Sequence, residues 1–175
     1  MSSYTIRPER EHEFPLIHAM IKDAFATAVV VDGDEQDFTD KLRAGKSYIP
    51  GLALVAEEEG RLAGHIMLTR LNLTLDVGGT LPILLLEPLS VRLENRRRGL
   101  GGALIQEAFN RARRLDYTAV FLVGDSTYYS RFGFRSVGEF GIRHRPATIP
   151  AHYALACELY YGALADKAGS FHFFE

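Results

Sequence analysis

The sequence predicts an α+β or α/β fold. A central mixed sheet, mostly antiparallel, takes up one βαβ unit and is flanked by helices. Three observations predict it. Residues 62–75 place Leu68, Arg70, Asn72 and Thr74 on one side of a two-residue period, as a strand requires. An apolar run at 81–91 meets a turn rich in arginine and glycine at 96–102, after which Leu104, Ala108, Ala112 and Leu115 recur at helical spacing. The run Ala-Val-Phe-Leu-Val at 119–123 has no polar face, which is the pattern of a buried parallel strand.

Taken in order, residues 4–7 read as a short strand. Residues 9–28 read as a helix, because Phe14, Ile17, Ile21, Ala24 and Phe25 fall on one stripe, and residues 34–42 as a second, shorter one. Residues 52–56, the turn Glu57-Glu58-Glu59-Gly60-Arg61 and residues 62–75 make a hairpin whose three tip glutamates are expected to serve solubility. Val77-Gly78-Gly79-Thr80 turns the chain into residues 81–91, apolar on both faces and therefore central to the antiparallel meander. A short helix near 127–132 and strand material at 135–142 and 154–160 complete the expected fold. The loop after the first strand of a βαβ unit is where ligands bind in such sheets.

Composition sets the class. A chain of 175 residues, 47% hydrophobic and 24% charged, is globular, and without repeats or linkers it is expected to form one domain over 1–175. The single Cys157 cannot close an internal disulfide, and no Cys/His cluster has metal spacing, so a reducing cytoplasm and no metal are expected. The N-terminus lacks a basic segment followed by an apolar one, and the longest apolar stretch is interrupted by Glu87, which argues against secretion and membrane insertion.

The net charge of −2 is unevenly spread. Residues 91–115 carry seven arginines against Glu94 and Glu107, or +5, which leaves −7 for the remainder. A nucleic acid asks for a broader basic field with interleaved aromatics, so a small phosphorylated ligand suits this local patch better. Within it, Arg96-Arg97-Arg98-Gly99-Leu100-Gly101-Gly102-Ala103 has the chemistry of an anion cradle. Glycine lets backbone approach a ligand, and a helix N-terminus offers unpaired N–H groups and a positive dipole end. A Walker loop is excluded by the missing GK[ST], and a dinucleotide fingerprint by leucine at 104. The same arginines and glycines also fit a solvated turn leading into a helix.

Arg96-x-x-Gly99-x-Gly101 resembles the Gln/Arg-x-x-Gly-x-Gly/Ala motif of the GNAT superfamily of acyl-CoA N-acyltransferases. The block Gly124-Asp-Ser-Thr-Tyr128-Tyr129-Ser-Arg131-Phe132-Gly133-Phe134 resembles that family's second signature, in the expected order after the expected helix and strand. With Gly64-His65-Ile66, these blocks resemble the YhbS-like branch of predicted N-acetyltransferases, most sharply over 53–141. The resemblance implies a GNAT fold with an acetyl-CoA-binding crossover and acetyl transfer from acetyl-CoA to a small-molecule or peptide amine, without a covalent enzyme intermediate. It implies that Leu89, Ser90 and Val91 flank the pantetheine arm. The amides at 98–103 (Arg98, Gly99, Leu100, Gly101, Gly102, Ala103) would hold the pyrophosphate while Arg96 and Arg97 lend charge. Ser126, Tyr129 and Arg131 complete the coenzyme-binding set, with Tyr129 also protonating the departing thiolate.

Each assignment has a plainer counterpart. Tyr129 also fits a packed tyrosine with a satisfied hydroxyl. Glu87 shares a strand face with Leu89 and Val91, which suits a general base, but Pro88 beside it also fits a bulge that turns Glu87 to solvent. His65, His144, His152 and His172 lack a metal or nucleophile partner and read as structural or surface residues. The acceptor is expected to meet the first helices and residues 31–40, where Asp32, Asp34, Glu35, Asp37 and Asp40 attract a cation or simply solvate a helix start. The alternative function is an acyl-CoA-binding module that has lost turnover. Either a monomer or a homodimer fits, with no nucleic-acid or membrane partner.

Overall fold

The computed structural model describes residues 3–28 and 31–174. Among the described residues nine strands lie in one mixed sheet. They are β1 (Tyr4–Pro8), β2 (Ala53–Glu58), β3 (Arg61–Leu75), β4 (Thr80–Val91), β5 (Ala119–Val123), β6 (Arg135–Ser136), β7 (Ile142–Arg145), β8 (Ala154–Glu158) and β9 (Gly169–His172), in the order β1-β2-β3-β4-β5-β8-β6 with β9 pairing β3 and β7. The helices are α1 (Phe14–Phe25), α2 (Glu35–Ala44), α3 (Leu100–Arg114) and α4 (Ser126–Tyr129). This is the expected α+β class. The chain divides into two compact units, Met1–Thr69 with Leu86–Arg111, and Arg70–Leu85 with Ala112–Glu175.

In the first unit β1 and β2 pair antiparallel from Tyr4↔Glu58 to Pro8↔Leu54, and β2 pairs β3 with a bulge between Ala56 and Glu57. The stripe Ile17, Met20 and Ile21 of α1 packs against Val55 and Leu62. That helix is shorter than the periodicity predicts. The Glu9 N–H still donates to Ala53 O at 2.9 Å, which holds residue 9 extended, and a 3-10 turn at Glu11–Glu13 precedes the helix. At its other end the Ala28 N–H reaches back only to Phe25 O, the three-residue spacing of a closing turn. On α3 the buried positions are Leu100, Gly101, Leu104, Ile105, Ala108, Phe109 and Ala112, one apolar stripe. At Gly64 of β3 a Cβ would lie 2.9 Å from Leu104 Cδ1 and 3.0 Å from Ser90 O, so glycine admits the close approach of strand and helix.

In the second unit β4 pairs β5 in parallel at Leu84↔Val120 and Leu85↔Phe121, and β5 pairs β8 antiparallel over its whole length. Leu73, Ile83, Phe121, Phe171 and Phe173 form its core, with Phe121 and Phe171 edge to face at 4.9 Å. The strand expected at 135–142 is broken into β6, a 3-10 turn at Val137–Phe140 and β7, because Gly141 takes φ 70 and redirects the chain. β9 carries no sequence signal of its own. It is set by Gly169, where a Cβ would stand 2.2 Å from Thr74 O and block the pairing with β3. The alternation read in β3 holds from Arg70 onward, whereas Leu68 is fully buried.

Candidate active site

The glycine turn and the later part of β4, from Leu86 onward, belong to the first unit. Past the β5 pairing, Glu87, Leu89 and Val91 are half-buried while Pro88 and Ser90 are buried, so one face of β4 is left partly open. Arg97 at φ 60 and Gly99 at φ 80 reverse the chain into α3, and a Cβ at Gly99 would meet no atom within 4 Å. Gly99 O accepts from the Ala103 N–H at 3.0 Å. The amides of Leu100, Gly101 and Gly102 come too early in the helix to have a carbonyl four residues back. They sit at the positive end of a 15-residue helix beside an open turn, which suits an anion such as a pyrophosphate.

The arginines of this turn part company. Arg97 is exposed. Arg98 pairs with Glu58, its two terminal nitrogens 2.7 and 3.1 Å from the carboxylate oxygens, and Asn95 Nδ2 donates to the same carboxylate at 2.7 Å. Arg96 does not extend its charge toward the turn. Its guanidinium donates to Val91 O at 3.2 Å, Thr27 Oγ1 at 3.0 Å and Ala24 O at 2.8 Å. The hairpin-tip glutamates are likewise not mere solubilisers, because Glu58 anchors the turn and Glu57 accepts from Arg7 at 2.7 Å. The sequence gives no sign of either, since the partners lie tens of residues away.

Glu87 is half-buried, on the face of β4 that also carries Leu89 and Val91. Burial pushes its carboxyl up to about 8, with the nearby charges of Asp32, Glu35 and Asp34 adding to the effect. Glu35 is itself 6% exposed and closes the turn before α2 by accepting from the Asp32 N–H at 2.6 Å and the Gly33 N–H at 3.2 Å. Asp32 is raised as well, by burial and then by Glu35 and Asp34. Among the described residues no group of three or more His, Cys, Asp or Glu is placed to hold a metal ion.

The second unit holds Ser126, Tyr129 and Arg131. Asp125 caps α4 by accepting from the Thr127 N–H at 2.9 Å, and Ser126 is exposed. Tyr129 is half-buried, with Tyr128 edge-on at 5.0 Å and Phe134 at 5.6 Å. Arg131 stacks over the Tyr128 ring at 4.5 Å, and burial raises the Tyr128 hydroxyl above its usual range. Cys157 is buried, its thiol pushed up to about 11 by that burial, which disfavours the thiolate a nucleophile needs.

One polar cluster was missed by sequence reasoning. The Glu9 carboxylate, fully buried, accepts from Arg43 Nε at 2.8 Å and Nη2 at 2.9 Å, and from the Tyr48 hydroxyl at 2.9 Å. It also meets His65 Nε2 at 2.9 Å, and these partners hold it down to about 2 against the opposing effect of burial. His65 is 0% exposed, so the structural role expected for it holds, while its Nδ1 is buried without a hydrogen-bond partner. No helix among the described residues is long and apolar enough to cross a membrane.

The strand, turn and helix described above occur in known proteins. The profile of an acetyltransferase (GNAT) domain matches residues 5–137. An uncharacterized N-acetyltransferase of Escherichia coli K12, YjhQ, is 34% identical over 116 residues, or 66% of this chain, and the match spans 62% of that protein's own length. The crystal structure of the Escherichia coli GNAT family N-acetyltransferase YhbS in complex with CoA superposes with a TM-score of 0.84 at 25% identity, covering 98% of this chain and 90% of that one. A GNAT family acetyltransferase from Brucella melitensis in complex with acetyl-CoA superposes with a TM-score of 0.69 at 31% identity, covering 78% and 86%. With both motifs inside the matched span and the fold shared across nearly its whole length, the chain belongs to the GNAT acetyltransferase family.

Proposed function

We propose that this protein is an acetyl-CoA-dependent N-acetyltransferase acting on a primary amine. The observation that carries the reading is the open turn at Gly99 leading into the unpaired N-terminal amides of α3, directly after the half-open face of β4. Acetyl-CoA-bound and CoA-bound relatives support the same ligand here. The amides at 98–103 hold the pyrophosphate with Arg97 adding charge, and the backbone at Leu89, Ser90 and Val91 flanks the pantetheine arm. A thioester supplies an acyl carbon already open to attack by a neutral amine. Glu87, a base near pH 8, takes the proton released by the amine nitrogen as the C–N bond forms. Tyr129 gives its proton to the sulfur as the C–S bond breaks. Ser126 and Arg131 are the remaining coenzyme-binding residues of this reading, and the buried thiol of Cys157 takes no part.

The test is a screen of small amines, amino acids, aminoglycosides and peptide N-termini for coenzyme A release. Turnover of any amine, with acetyl found on its nitrogen, supports the reading. Tight acetyl-CoA binding with no turnover across the panel favours a binding module that has lost catalysis.

A further inference from the structure

We propose that Arg96 is a positioning residue that straps the glycine turn to the C-terminal end of α1, so that filling the turn is transmitted to residues 26–28 at that helix end. The inference rests on the coenzyme site proposed above. An arginine in an anion-binding motif invites the reading of a phosphate ligand, but the geometry here points elsewhere. One guanidinium reaches three places, the end of β4 through Val91 O, the last turn of α1 through Ala24 O and the turn two residues past that helix through Thr27 Oγ1. A helix end leaves its last carbonyls without partners and carries a negative dipole, so a half-buried cation there is held by both. Thr27 Oγ1 also donates to Ala24 O at 3.4 Å, which makes that carbonyl a shared anchor. Arg96 thus begins the turn proposed to receive the coenzyme and at the same time holds the closing turn of α1 through Ala24 and Thr27. The planar fork of arginine is required, since lysine offers one point charge and cannot span three acceptors.

Calorimetry with coenzyme A, joined to hydrogen exchange with and without it, tests the strap on the full chain. In wild type, coenzyme A slows exchange of the Ala26 and Ala28 amides, which bond Lys22 O and Phe25 O. In Arg96→Gln that protection falls about tenfold. Affinity stays within about threefold, because a neutral substitution away from the ligand costs little, and its dependence on salt is unchanged. Arg96→Lys behaves like Arg96→Gln, and Thr27→Val, which removes one of the three acceptors, shows the same loss in smaller measure. Affinity weakened about tenfold in Arg96→Gln, with a shallower salt dependence and rescue by Arg96→Lys, makes Arg96 a phosphate ligand and overturns the strap. Wild type that binds coenzyme A without any change at the end of α1 overturns it too. Wild type that does not bind coenzyme A overturns the functional reading instead, and the strap then stands or falls on whether Arg96→Gln speeds exchange at Ala26 and Ala28 in the unliganded protein.

Discussion

The ring of Tyr129 lies directly over Gly124, so that a Cβ on residue 124 would stand 2.7 Å from Tyr129 Cε2. Such a contact is too short for any real methyl, and the ring has to move. Gly124→Ala is therefore expected to act through the tyrosine. If Tyr129 protonates the departing sulfur, Gly124→Ala and Tyr129→Phe both lower kcat, the latter by about 10²-fold, while acetyl-CoA affinity holds. Tyr128→Phe does much less, because that ring is occupied by Arg131. Steady-state rates for the three variants decide it, and a normal rate for Tyr129→Phe removes the hydroxyl from the mechanism.

Gly101 is buried in the first turn of α3. Gly101→Glu places a carboxylate among the amides offered to the pyrophosphate and is expected to abolish acetyl-CoA binding by calorimetry in a protein whose circular dichroism is unchanged. Retained affinity moves the coenzyme off this turn.

Glu87 titrates late, near 8 in place of the ordinary 4.5. The native state thus binds a proton that the unfolded chain has already released, and stability falls as the pH rises from about 4.5 through about 8. Glu87→Gln lacks this loss, so its Tm should overtake that of wild type toward alkaline pH. As the base in transfer, Glu87 also gives a rate that climbs with pH through about 8, and Glu87→Gln flattens that limb. Superimposable pH-rate profiles would take Glu87 out of the chemistry, whatever the melting curves show.

Glu9 has the opposite sign. Its carboxyl is held down to about 2, so its contribution is complete above about 4.5 and is lost as the pH falls toward about 2. Glu9→Gln leaves Arg43 and His65 buried with a neutral partner and should cost about 3–5 kcal/mol in urea unfolding at neutral pH. A loss under about 1 kcal/mol would mean that the cluster relaxes around the amide.

Local pattern carried much of this protein. The two-residue period of β3 beyond Thr69, the apolar run of β5 and the helical stripe of α3 are each set by residues a few positions apart, so the sequence predicts them in place. The run from Arg96 to Ala103 likewise announces an anion site, because glycine freedom and a helix start are local properties. The partners of its charges are not local. Arg96 bonds Ala24 at 72 residues' separation and Arg98 bonds Glu58 at 40, while Glu9 collects Arg43, Tyr48 and His65 from three later segments. β9 exists because Gly169 lets its backbone meet Thr74, a fact that four residues of sequence do not contain. Whether an arginine faces a ligand or a helix end, and whether a glutamate faces water or other carboxylates, depends on what the fold brings against it. Composition and spacing name the groups present, and only tertiary packing decides which of them share a low-dielectric neighbourhood.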